Sequence, residues 1–234
     1  MTAARALKPV PELTGPVEDY LKAIFELERS GKPAETNAIA EALGIAPASV
    51  SGMVRRLAEQ GLITHERYRG ASLTAAGRRA ALRTLRRHRV IEAYLTSALG
   101  YSWDRVHDEA ERLEHAASDE LIDRMASAIG EPETDPHGAP IPDRDGTLPE
   151  DRGLQPLAAL QVGDRARVER VSDKNGERLR YFAELGLVPG ATVHVTAREP
   201  FDGPISITVD DTARTVGPGL AAQVIVSPLR KRSR

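Results

Sequence analysis

The chain has 234 residues, is 41% hydrophobic and contains no cysteine, which allows two or three small domains and excludes disulfides and thiolate metal sites. No apolar run approaches the roughly 18 residues a membrane-spanning helix needs, and the N-terminus lacks the basic stretch and apolar core of a signal peptide, so a cytoplasmic protein with no membrane partner is expected. The formal net charge of −2 hides a segregation: residues 1–89 carry 15 Lys and Arg against 9 Asp and Glu, residues 90–150 carry 4 against 15, and residues 151–234 carry 13 against 10. A basic first segment suits a polyanion, whereas the acidic middle repels one and suits cations.

The first predicted helix starts at Thr14 and Pro16, places Val17, Tyr20, Leu21, Ile24 and Phe25 at helical spacing, and stops near Gly31. A short helix over Asn37–Leu43, Gly44, and a second helix from Pro47 to Gln60 with Val50, Val54 and Leu57 inward make a helix-turn-helix pattern. Two strands, Leu62–Glu66 and Ala71–Thr74, flank a turn at Tyr68-Arg69-Gly70, which completes a winged helix-turn-helix. The exposed start of the second helix offers Pro47, Ala48, Ser49 and Ser51 to a major groove, and Arg55, Arg56, Arg67 and Arg69, with Tyr68 in the wing, are candidates for phosphate contacts. For any one of these arginines a solvated surface charge is the competing reading. The terminal Arg230-Lys231-Arg232 and Arg234 read as a tail.

A long helix is predicted from Thr74 to about Leu99, another over Asp104–Ala117 after Ser102, and a third over Asp119–Ile129 after Ser118. Their apolar stripes are wider than one small domain can cover, which suggests a homodimer. Residues 130–156 hold six prolines and four glycines and read as an extended connector. Beyond it the pattern changes to period two in Ala166–Val171, Thr192–Thr196, Ile205–Val209 and Val224–Val226, with a helix over Glu177–Leu185, as in a small barrel. The expected fold is mainly α with a small β part: a winged helix-turn-helix over 1–75, a helical dimerisation and metal-binding domain over 76–142, a linker over 143–154 and an SH3-like, FeoA-like barrel over 155–229.

On a helix, His107, Glu111, Glu114 and His115 fall at i, i+4, i+7 and i+8 and share one face, and His88 and Glu92 form a further i, i+4 pair. Crowded carboxylates and imidazoles repel or compete unless a cation offsets them. The plain alternative is a solvated face with ion pairs to Arg105 or Arg112. Oxygen and imidazole donors without sulfur suit Mn(II) first and Fe(II) second, ahead of Zn(II) or Cu(I). A di-metal carboxylate enzyme would need two inward Glu-x-x-His motifs, and the chain has none on these helices. A DNA-binding regulator with an organic effector is a further alternative.

With Arg87-His88-Arg89 and Glu92, Val106-His107-Asp108-Glu109-Ala110 with Glu114-His115, and Asp135-Pro136-His137-Gly138, the chain resembles the diphtheria toxin repressor/MntR family of metal-dependent regulators over roughly residues 14–229. The resemblance implies a dimeric repressor on palindromic double-stranded operator DNA, controlling manganese or iron homeostasis. It implies a primary metal site of Asp19, Glu111, Glu114 and His115, and an ancillary site of His88, Glu92 and His107 completed from the SH3-like domain, for which Asp173 is the candidate. Met and Cys occupy the positions of Asp19 and Glu111 in the iron-responsive branch, so the resemblance is to the manganese branch. Lys22 stands where two-domain manganese regulators carry a glutamate for a second, closely spaced ion, which argues for a separate ancillary site here.

Overall fold

The computed structural model describes residues 13–66 and 70–229 and divides into two compact units, one of residues 1–87 with 142–147, the other of residues 88–141 with 148–234. Arg67, Tyr68 and Arg69 of the expected wing and the basic tail from Arg230 lie outside the described residues.

In the first unit α1 (Gly15–Arg29) buries Val17, Leu21, Ile24 and Phe25. Thr14 precedes it in extended backbone without a side-chain cap, and its carbonyl accepts from Val17 and Glu18 instead. Helices α2 (Thr36–Leu43) and α3 (Pro47–Glu59) are joined by three residues. The turn works because Gly44 adopts left-handed φ +65°, which lets the Gly44 and Ile45 amides bond back to the last carbonyls of α2. Ile39, Ala40, Val50, Val54 and Leu57 fill the space between these helices. Strands β1 (Ile63–Glu66) and β2 (Gly70–Leu73) pair antiparallel. Thr74 then caps α4 (Ala75–Leu99) by accepting from the Gly77 amide at 3.1 Å. The α1 carboxylate of Glu18 meets Arg87 of α4 at 3.3 Å, both side chains nine-tenths buried. Arg86 donates to Pro142 O at 2.9 Å, holding residues 142–147 against the same unit.

The second unit takes the remainder of α4, then α5 (Val106–Leu113) and α6 (Asp119–Ala128), around Val90, Ile91, Leu95, Val106, Ala110, Ile122 and Ala126. Helix α5 is shorter than the predicted Asp104–Ala117. At its start the Asp104 carboxylate is engaged by Arg180 at 2.9 Å, and at its end Ser118 is drawn into extended backbone to cap α6 through Leu121 N. Glu114 is the C-cap of α5 and His115 lies in the following turn.

The connector also departs from expectation. Asp135, His137, Ala139 and Ile141 are buried, and Asp135 Oδ1 accepts from the amides of His137 (2.8 Å) and Ala139 (3.0 Å) to close a tight turn. Gly138, at φ +87°, lies so close to the Glu169 carbonyl that a Cβ would sit 1.9 Å from its oxygen.

The remainder is an antiparallel six-stranded sheet in the order β3-β8-β4-β5-β6-β7, formed by β3 (Gln155–Pro156), β4 (Arg165–Val171), β5 (Thr192–Arg198), β6 (Ile205–Val209), β7 (Thr212–Val216) and β8 (Val224–Pro228). Register shifts at Val168/Arg170 and Val195/Ala197 interrupt the ladders of the long strands, and α7 (Gly176–Leu185) puts fully buried Leu179 and Phe182 into one core with the inward strand residues. A short α8 (Pro218–Ala221) precedes β8. Strands β3 and β7 were not predicted; the former has two residues, and the latter buries only Val216 fully, so neither carries a period-two signal.

Candidate metal centre

The second unit brings two helices and one strand end together around His88. This imidazole projects from α4, is 3% exposed, and meets carboxylates on both sides of its ring. Nδ1 lies 2.5 Å from Glu114 Oε2 and 3.5 Å from Glu111 Oε1. Nε2 lies 3.0 Å from Glu92 Oε1 and 3.1 Å from His107 Nδ1.

On the Nε2 side, His107 Nδ1 is 3.2 Å from Glu92 Oε1 and 3.9 Å from Oδ2 of Asp173, which follows β4. Thus His88, Glu92, His107 and Asp173, far apart in sequence, each present a ligand atom within 4.8 Å of the others. On the Nδ1 side, Glu111 and Glu114 join His88 in a second such group, and His115 Nε2 approaches Glu114 Oε1 at 3.6 Å. His88 therefore belongs geometrically to both groups. Asp19 lies on α1 of the first unit, beside the buried Glu18.

These donors fit a divalent cation. Each is nitrogen or oxygen, and Glu92 and Glu114 are fully buried carboxylates whose charge needs compensation. Burial would raise Glu92, yet His107, His137 and His88 hold it well below the usual carboxylate range. His107 is raised despite burial, because Glu92 and Asp173 favour its charged form. An incoming cation would take over the compensation these imidazoles supply, so it competes with protons.

Sequence reasoning missed Asp135 and His137 as members of this centre. His137 is fully buried, donates from Nε2 to Trp103 O at 2.7 Å, and turns Nδ1 toward Glu92 Oε2 at 3.7 Å. Burial acts to lower it, but the neighbouring Glu92 carboxylate outweighs this and pushes it up to about 9. Burial, reinforced by Glu92, raises Asp135 to about 6. The available signal was the Asp-Pro-His-Gly sequence itself, an Asx-type turn inside a segment dominated by Pro and Gly.

In the first unit Pro47, Ala48, Ser49, Ser51, Arg55 and Arg56 are all exposed on α3, as a groove-entering helix requires. Arg55 lies 4.0 Å from Glu59, a solvent-facing pair that would exchange readily for a phosphate.

Family models match the chain in three consecutive pieces: the iron dependent repressor N-terminal DNA binding domain at residues 12–71, the iron dependent repressor metal binding and dimerisation domain at 74–143, and the FeoA domain at 155–228. The diphtheria toxin repressor of Corynebacterium jeikeium is 32% identical over 210 residues, covering 80% of this chain and 88% of its own length. The chain belongs to the diphtheria toxin repressor family. The iron-dependent repressor IdeR of Mycobacterium bovis, also of this family, is 33% identical over 196 residues, covering 79% of this chain and 85% of its own. A solved structure described as a manganese-dependent transcriptional repressor in complex with manganese superposes with a TM-score of 0.86 at 41% identity, covering 91% of this chain and all of that one. Members of the diphtheria toxin repressor family are metal-dependent transcriptional repressors and not enzymes, so the di-metal enzyme and organic-effector readings fall away. The chain carries the family's DNA-binding and dimerisation domains, and among the described residues no helix is long and apolar enough to cross a membrane.

Proposed function

We propose that the chain is a Mn(II)-activated, dimeric cytoplasmic repressor that binds palindromic operator DNA and controls genes of manganese homeostasis. The observation that carries this reading is the donor chemistry: the carboxylates of Glu92, Glu111, Glu114 and Asp173 surround His88 and His107 in a chain without cysteine. Hard oxygen donors in the majority suit Mn(II), whose selection over later metals must come from geometry and supply, since intrinsic affinity favours those metals. The 41% identity to a manganese-dependent repressor supports the same choice.

In the proposed division of labour Asp19, Glu111, Glu114 and His115 hold the activating ion, and His88, Glu92, His107 and Asp173 the ancillary one. Asp19 belongs to the DNA-binding domain and the other three primary ligands to the dimerisation domain. Ligation by both favours one posture of the pair, which selects that posture from the ensemble. In a two-fold dimer the posture sets the spacing of the two α3 helices, which must match major grooves roughly 34 Å apart.

Operator binding followed by fluorescence anisotropy tests this. Mn(II) strengthens binding, and Glu111→Ala or His115→Ala abolishes the gain while leaving a folded dimer; equal affinity with Mn(II) and with chelator overturns the reading. A second reading, Fe(II) response, is favoured by the iron-dependent repressor at 33% identity. Anaerobic titration of both metals against the wild type and an Asp19→Met, Glu111→Cys double variant separates the two, since ligand softness moves the response toward Fe(II) only in the variant if manganese is native.

A further inference from the structure

The Glu92 carboxylate has two differently employed oxygens. Oε1 faces His88 and His107 in the ancillary group, whereas Oε2 is buried without a hydrogen bond and looks the other way, at His137 Nδ1. His137 Nδ1 is likewise buried without a hydrogen-bond partner, and the two atoms face each other at 3.7 Å, with an Asp135 carboxylate oxygen in the same buried group.

The imidazole of His137 is held rigidly. Its Nε2 hydrogen is committed to the Trp103 carbonyl, which can only accept, and the ring stacks on the Trp103 indole at 5.8 Å and 28°. Its own carbonyl accepts from Val171 N at 3.0 Å, at the end of β4, two residues before Asp173. One residue thus touches the carboxylate that α4 contributes and the strand that delivers the ligand from the FeoA domain.

A third ion between Glu92, Asp135 and His137 is the competing interpretation, since these three also present converging atoms. Arg89 argues against it: its Nε lies 3.6 Å from Asp135 Oδ2 and its guanidinium is fastened to the Pro140 carbonyl, which puts a fixed positive charge beside one of the three donors.

We propose that His137 is a positioning residue for the ancillary metal site, aiming the Glu92 carboxylate through Nδ1 and tying the Asp173 end of β4 through its backbone. The proposal rests on the reading that His88, Glu92, His107 and Asp173 bind a divalent cation. Partners that orient a ligand from behind typically contribute about 10- to 100-fold in metal affinity.

The test is a Mn(II) titration of the full-length chain, read by the electron paramagnetic resonance signal of free Mn(II), with three variants. Asp173→Ala marks the ancillary ion by weakening one of two binding events. His137→Gln keeps an amide near the Nε2 position, and so the Trp103 contact, but loses the group facing Glu92. His137→Asn places its amide at the Nδ1 position and keeps that group. The expected result is a loss of about 10- to 100-fold for the ancillary ion in the Gln variant, an unchanged primary ion, and recovery to within about threefold of wild type in the Asn variant. Equal affinities in the Gln and Asn variants, or a parallel loss at both sites, overturns the positioning role. Two undisturbed binding events in Asp173→Ala overturn the ancillary-site reading itself, and the proposal with it.

Discussion

His88 Nδ1 lies 2.5 Å from Glu114 Oε2 while Nε2 of the same ring lies 3.0 Å from Glu92 Oε1, so one buried imidazole separates the two acidic groups of the centre. A ring shared in this way couples them. His88→Ala is expected to weaken both Mn(II) binding events, each by about tenfold or more, whereas Asp173→Ala weakens only one. Isothermal titration with the two variants in parallel checks this; a single affected event in His88→Ala contradicts it.

The buried Glu18–Arg87 pair gives a prediction on stability alone. Both side chains are 9% exposed and 3.3 Å apart, so Arg87→Ala removes the positive charge that meets a desolvated carboxylate and should cost about 3 kcal/mol in urea unfolding. Replacing both, as Glu18→Gln with Arg87→Met, should recover much of that loss, because neither side chain then carries a buried charge.

The metal-free chain should lose stability on the alkaline side. His137 binds its proton more tightly when folded, at about 9 against an ordinary 6.5, so its contribution is complete below pH 6.5 and vanishes as pH climbs through 9. The loss is on the order of 3 kcal/mol at most. Asp135, raised from 3.8 to about 6, acts in the same sense, its contribution disappearing as pH rises through 6. Glu92 acts oppositely: its folded-state value is depressed, so its contribution is present above the ordinary 4.5 and is lost on acidification. Denaturant unfolding of chelator-treated protein between pH 6 and 9.5 should show the decline, and His137→Gln should flatten it.

Gly138→Ala should be costly despite the small change. A Cβ at that position would lie 1.9 Å from the Glu169 carbonyl oxygen, and φ +87° disfavours any side chain. The turn must then move off β4, at a cost of about 2 kcal/mol or more, measurable as a lowered urea midpoint.

If a bound dimer neutralises about six phosphates, the slope of log affinity against log salt is expected to be on the order of −5. Arg55→Ala and Arg56→Ala should each reduce the steepness by about 2 per dimer, one contact per protomer, with little change in sequence preference. A slope unmoved by both would place the phosphate contacts elsewhere.

Much of this architecture is legible from periodicity. Val50, Val54 and Leu57 define α3, and the alternating Ile205–Val209 defines β6 because a half-buried strand must alternate. What escaped the sequence were features decided by distant partners. Asp104 reads as the start of α5 until Arg180 claims its carboxylate, and Glu114 and His115 read as one helical face until the Ser118 cap draws the chain out of the helix. Helical spacing puts His107 and Glu111 on one face, but the meeting of Asp173 with His107 depends on packing between α5 and the end of β4, which no local pattern encodes, so Asp173 is legible only through the family resemblance. The buried turn at Asp135 was hidden by its own composition, since Pro and Gly counts describe extended linkers and tight packed turns alike.

The absence of sulfur from the donors has a consequence for the conditions under which such a sensor works. Thiolate ligands climb an oxidation ladder to sulfenic and sulfinic acids and cease to bind metal. Carboxylates and imidazoles have no such ladder, so hydrogen peroxide cannot disable the candidate donors of this chain by consuming a cysteine.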